Sequence, residues 1–518
     1  MNKPSDDLFA LIQSLTQSEK KHFKHFTSKK GGNKKYLKLF TAIENQKVYD
    51  EVAIKKLFRG EKFISQLGSI KNYLHYLISK SLESCHAEST IDSELRSYIH
   101  RIEIFFNKGL YKQCEKIIGR ARHLAEKHEK HLSLLELSNW EVTIFRSQSY
   151  KGKTQDDIEK LYSEIFNIQS KYSHEKELEL LSTKMFIEVF KGFTRSNADL
   201  IIYQEIMNHP LLLSSPDHHE ATSQTWPYRS LYHYYNIHAA YFFIKHDLSK
   251  AYFYYKQLLK FMDDNPDKTK EELHMYIGVL LNLITCQLYL KKYDGMSLSL
   301  KKLKSINTSS QYLKNKIFFI THDMELAMYI KSGEFDKGVK LIATIHEGVN
   351  KFALSNIDKL VLYYGIFYIY FGVSEYHNAR NYLNKIINDS AVALRSDLYC
   401  MARIVLLLVH YELGNEELLG YLEKSAHRYL DKKERLYKVE TSILDFMRKE
   451  ILKVINPKGK IQVFKELKTE MEEIMKDPYE KKSLEYFDFI SWLESKIEKR
   501  PFAEIVREKA ALKDKAGQ

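Results

Sequence analysis

The feature that most limits what this chain can fold into is a recurrence with a period in the low forties of residues, within the range of helical-repeat units. A bulky residue opens a helical stretch, a small one often follows at +3, and a large apolar one follows at +7. Tyr111, Cys114 and Ile118 obey this rule, as do Leu248, Ala251 and Tyr255. Tyr293, Met296 and Leu300, then Phe335, Gly338 and Ile342, then Tyr376, Ala379 and Leu383 repeat it. The openers at 248, 293, 335 and 376 lie 45, 42 and 41 residues apart, and Leu418 follows 42 later with Tyr421 at its +3 position. One such unit cannot bury its own apolar face, so a fixed period of this length predicts two-helix modules stacked on their neighbours. The small position lets paired helices approach closely.

Residues 231–261, LYHYYNIHAAYFFIKHDLSKAYFYYKQLLKF, show one module in full, with eleven Tyr or Phe and three His. Leu248, Ala251, Tyr255, Leu258, Leu259 and Met262 fall on one stripe at helical spacing. The preceding helix carries two stripes, Tyr228, Leu231, Tyr235, Ala239 and Phe242, and Tyr234, Ile237, Tyr241 and Ile244. A helix apolar on two faces packs on two sides. Lys245, His246 and Asp247 leave room only for a tight antiparallel turn. Less regular hairpins are expected at 132–173 and 175–210, with turns at Gly152 and Asn197.

This spacing resembles the tetratricopeptide-repeat (TPR) superfamily. Tyr235, Ala239, Phe242, Leu248, Ala251 and Tyr255 occupy its aromatic, small, aromatic, bulky, small and aromatic positions. Tyr363, Tyr370, Tyr376, Ala379 and Leu383 match in a later copy, and Tyr98, Phe105, Tyr111, Cys114, Ile118 and Ala121 in an early one. The units are longer than is usual there, and Ile102, Ile284 and Phe367 fill a position the family keeps small. The resemblance implies an all-α, right-handed solenoid of about eight hairpins over residues 90–435, with helical caps at 1–86 and 436–518. It also implies a concave groove that takes an extended peptide or helix. His233, Asn236, Ala240 and Phe243 would line it in one copy, and Val361, Tyr364, Tyr368 and Phe371 in another.

Composition agrees with helices. Only 8 prolines and 19 glycines leave few of the turns that β-proteins need, while 44% hydrophobic and 28% charged residues are ordinary for a folded chain. Four isolated cysteines, at 85, 114, 286 and 400, form no CxxC pair and suit a reducing cytoplasm. The longest apolar run, LVLYYGIFYIYFGV at 360–373, has fourteen residues where a bilayer span takes about 20, so it reads as a buried helix. MNKPSDDLFALIQSL lacks the basic start and apolar centre of a signal peptide. No membrane attachment is expected.

A net charge of +13 raises the question of nucleic acid, but 64 lysines stand against 16 arginines, the residue that forks onto phosphates and guanine edges. Residues 1–86 supply +8 of that total. Lys29, Lys30, Lys34, Lys35 and Lys38 flank the Gly-Gly turn of SKKGGNKKYLKLF, which is no phosphate loop because GxxxxGK[ST] is missing. Helices are expected at 18–27, 35–46, 50–58 and 63–82, forming a cap or a helix-turn-helix variant whose last helix would enter a groove. That helix carries few arginines or amides for base readout. At the other end, INPKGK at 455–460 breaks a helix, and helices at 460–476 and 479–499 bring Phe487, Phe489 and Trp492 to cover the last repeat. The tail from Lys509 is polar and expected to fray.

Catalytic and metal motifs are absent: there is no Walker loop, GxSxG, HExxH or Rossmann glycine set. His128 and His131, with His123 and Glu126, read as a solvated helix face, and His218, His219 and Glu220 as a loop. Cys114 fills the small packing slot. The expectation is a non-enzymatic scaffold without metal or cofactor that binds a protein or peptide in its groove. The alternative is a regulator that touches nucleic acid through residues 18–80 and senses through the solenoid.

Overall fold

A computed structural model describes residues 5–29, 34–190, 198–213, 226–389, 396–450, 456–477 and 480–515. The fold is all-α, and every regular element among the described residues is a helix. None of those helices is long and apolar enough to cross a membrane. All but the last residue of the run at 360–373 lies in the Asn356–Gly372 helix, with Val373 as its C-cap, and most of it is buried.

The chain divides into two compact units, Met1–Ser173 and His174–Gln518. In the first, the helices Asp7–Ser14, Gln17–Lys29, Lys34–Glu44, Glu51–Leu57 and Leu67–Cys85 close on a core of their own, with Ile12, Phe23, Leu39, Phe40, Leu74 and Ile78 at its centre. The paired helices Ile91–Asn107 and Tyr111–Lys127 and the helix His131–Ser147 share a second core around Ile102, Cys114, Ile118 and Leu137. In the second unit, buried residues from Leu326 to Val506 form one continuous cluster.

One turn recurs. Gly109, His246, Lys291, Gly333, Ser374 and Gly414 all adopt left-handed backbone, with φ between 57 and 73°. After each, the next amide reaches back five residues, for example Asp247 N to Phe242 O at 2.9 Å and Glu375 N to Tyr370 O at 2.9 Å. This is the bond that satisfies the open carbonyls of a helix end. The second helix starts one residue later, at Tyr111, Leu248, Tyr293, Phe335, Tyr376 and Glu416. The last copy therefore opens at Glu416 and not at Leu418, because Gly414 places the turn. Leu419 and Glu423 then fill its +3 and +7 slots and are buried, while Leu418 and Tyr421 are exposed.

The small slot has the expected reason. A Cβ on Gly338 would collide with Ile369, and one on Gly372 would collide with the ring of the opener Phe335. Ala251, Met296, Ala379 and Cys114 occupy the same slot fully buried.

Two expectations change. Gln155–Phe190 is one unbroken helix of 36 residues, so no hairpin boundary falls at 173–175. The stretch contains neither Gly nor Pro to end it. Gly152 does sit in the preceding turn, at φ 75°, whereas Asn197 lies outside the described residues. At the C-terminus the helix Phe502–Lys515 runs through most of the tail expected to fray, with Phe502 and Val506 in the large core.

Candidate ligand-binding face

The Tyr228–Ile244 helix gathers Arg229, Tyr232, His233, Asn236, Ala240 and Phe243 on one stripe, spaced i, i+3, i+4, i+7, i+11 and i+14. At its start Arg229 is held between two buried carboxylates. Its Nε donates to Glu272 Oε1 at 3.0 Å, a terminal nitrogen bonds the same oxygen, and the other reaches Glu175 Oε1 at 3.3 Å. Burial opposes the guanidinium charge, but Glu272 first and Glu175 behind it outweigh that, and the group is held above its ordinary value.

One turn on, His233 and Asn236 each carry one side-chain atom that lacks a hydrogen-bond partner among the described residues. These are the Nδ1 of His233 and the Oδ1 of Asn236, both enclosed. Asn236 is only 5% exposed. Burial pushes His233 down to about 4, against the pull of Glu179 and Glu175, so the ring is neutral near pH 7. Tyr232, beside them, is driven well above its ordinary value by burial. Phe243 is half-buried and meets the ring of Tyr289 edge-on at 6.0 Å. The amide oxygen and the imidazole nitrogen are shielded from solvent, so a donor-bearing chain reaches them only where the packing over the stripe opens.

The later stretch of the expected groove is not open. Tyr364, Tyr368 and Phe371 are buried, and the chain's own C-terminal segment covers them. Tyr364 Oη donates to Tyr486 O at 3.2 Å, and Tyr368 Oη accepts the Asp488 amide at 2.9 Å. Phe371 meets Phe487 at 5.0 Å and Phe502 at 5.5 Å, both edge-on. Trp492 Nε1 donates to Glu412 Oε1 at 2.7 Å. Expected as exposed rings, the three residues are core, because Phe487, Phe489 and Phe502 bury more apolar surface than an open groove would leave.

Of the basic residues at 29–38, Lys30 and the side chains of Lys29 and Lys34 lie outside the described residues. Lys35 sits over the Tyr36 ring at 5.0 Å, and Lys38 pairs with Glu61 at 2.8 Å. His131 is buried rather than solvated, and His128 is half-buried. Among the described residues no three His, Cys, Asp or Glu side chains converge as a metal would require. His218, His219 and Glu220 lie outside the described residues. Cys114 is fully buried, donates to Ile102 O at 3.5 Å, and has its thiol pushed up by burial.

Sequence reasoning missed the Glu175–Arg229–Glu272 grip, whose members are 54 and 43 residues from the arginine. The one local signal for it is an Arg at the head of an aromatic helix. No protein-family model matches the chain, and no curated protein matches it.

Proposed function

We propose that this chain is a non-enzymatic, cytoplasmic scaffold of the TPR-like kind, a right-handed solenoid of helical hairpins capped at both ends. It holds a protein or peptide segment against the Arg229–Phe243 stripe of the Tyr228–Ile244 helix. The enclosed, unpartnered acceptors of Asn236 and His233 carry the reading. Leaving each unpaired costs about 1–3 kcal/mol, a cost that the amide donors of a peptide would remove once the packing over the stripe opens to admit it. The recurring left-handed turn supports the repeat architecture, since it launches each second helix in the same register. A role for Tyr364, Tyr368 and Phe371 in partner binding is withdrawn, since the C-terminal segment occupies them.

The test places a photo-crosslinking amino acid at Phe243 in the native host and identifies what it captures. The expected result is one predominant protein, lost when Asn236→Leu and His233→Leu are added while the helical circular-dichroism signal is kept. Undiminished capture by that variant overturns the reading.

A further inference from the structure

The N-terminal helices carry a second surface, independent of the stripe above. On the Leu67–Cys85 helix, Tyr73 and Tyr76 remain 47% and 52% exposed. Their ring centroids lie 5.9 Å apart, and Tyr73 rests at 5.0 Å on the buried ring of Tyr36. Lys35 stands over Tyr36 at one end of this row. Lys80, four residues and so about one turn beyond Tyr76, stands at the other. Ser69, Asn72 and His75 complete the exposed face.

We propose that the row Lys35, Tyr36, Tyr73, Tyr76, Lys80 is a platform for single-stranded nucleic acid. Two half-exposed rings in contact, one of them backed by a third, offer stacking faces to two bases at little entropic cost. The bracketing lysines supply phosphate contacts, and the surrounding charge favours a polyanion. Residues 1–86 carry +8, and Glu44, Glu51 and Glu61 are each tied to lysines. The pair of Lys80 with Glu83 is an exposed i, i+3 contact, which a phosphate can displace.

A single strand fits better than a duplex. Stacking requires bases that are already unpaired, and between Leu67 and Tyr76 the only cation is Lys71. That lysine is engaged with Tyr49 at 2.7 Å and Glu51 at 2.9 Å. A helix so poor in cations has little with which to follow a duplex groove.

The test measures fluorescence anisotropy of labelled twelve-nucleotide oligo(U) and oligo(dT), each single-stranded and as a duplex, with the full-length protein over a salt series. Single strands should bind more tightly than duplexes, with affinity falling as salt rises. Tyr73→Ala with Tyr76→Ala should weaken binding at least tenfold, whereas Tyr73→Phe with Tyr76→Phe should keep it within about twofold. Lys35→Ala with Lys80→Ala should lower the logarithmic salt slope by about 1.4. If the alanine pair disturbs folding, the phenylalanine and lysine variants still decide. The proposal is overturned by no binding at the lowest salt, by equal or tighter duplex binding, or by a folded alanine pair that binds unchanged. It is also overturned if light scattering shows a dimer that the alanine pair abolishes, which would assign the rings to a second copy of the chain.

Discussion

The hydroxyl of Tyr368 accepts the backbone amide of Asp488 at 2.9 Å, across 120 residues of chain. Four residues earlier on the same helix, Tyr364 donates to the carbonyl of Tyr486. Two tyrosines thus peg an irregular stretch that leads into the Phe489–Glu498 helix by bonding its backbone groups.

Removing the pegs should therefore loosen the C-terminus. Tyr364→Phe with Tyr368→Phe should cost about 1 kcal/mol per hydrogen bond. Tyr364→Ala with Tyr368→Ala should cost about 3–5 kcal/mol per ring. Hydrogen exchange should show residues 480–510 losing protection ahead of the helices between 226 and 300. Unchanged protection of 480–510 in the alanine pair would show that this contact does not hold the segment.

The recurring turn makes a second prediction with opposite signs at equivalent sites. Ser374 holds φ at 63°, a conformation that disfavours side chains but suits glycine. Ser374→Gly should raise stability by about 1 kcal/mol, read as a shift in the urea midpoint. Gly333→Ala should lower it, since Gly333 is left-handed and its Cβ would stand 2.7 Å from the Arg507 backbone nitrogen. Equal effects at the two sites would mean that turn strain is not what the substitutions change.

That turn also shows what sequence could reveal. The bulky, small, bulky spacing is a local pattern, so the paired helices and the slot at Gly338 are legible in the sequence. The register of the last copy is not, because Leu418 imitates an opener while Gly414 sets the turn. Tyr364, Tyr368 and Phe371 were misplaced for a different reason. Their helix reads as apolar all round, and nothing within it says whether a side is covered by a partner or by Phe487 and Phe502, more than a hundred residues away. Likewise, the exposed rings of Tyr73 and Tyr76 share the composition of the buried rings around Tyr234, and only tertiary packing separates them.

Acid should destabilise the second unit through its buried histidines, His233 and His238 foremost, with His246, His322, His346 and His410 lowered in the same direction by burial. Burial lowers both His233 and His238 from 6.5 to about 4. His233 also faces Glu175, Glu179, Arg229 and Lys176, while His238 lies between the rings of Tyr234 and Tyr254. Because the folded values are the lower ones, the unfolded chain binds more protons. Stability is then complete above about pH 6.5 and is lost as pH falls toward 4, by roughly 3 kcal/mol per histidine. Urea unfolding at pH 7 and pH 4.5 should show the loss, and His238→Phe should remove about half of the share that His233 and His238 carry. A loss of the same size in that variant would place the acid sensitivity elsewhere.

Arg229 supplies the last test, in which a second substitution should partly repair the first. It neutralises two carboxylates that are themselves buried, Glu175 and Glu272. Arg229→Gln takes the guanidinium from both, and with the arginine side chain 40% exposed the cost should be about 2 kcal/mol rather than the 3–5 of a fully buried pair. Arg229→Lys should restore little, because a single ammonium cannot fork between two acids. Adding Glu272→Gln to Arg229→Gln should recover part of the loss by removing one of the two buried charges, whereas Glu272→Gln alone should destabilise. A double variant less stable than Arg229→Gln would show that Glu272 acts through packing or through Tyr232, and not through the arginine it grips.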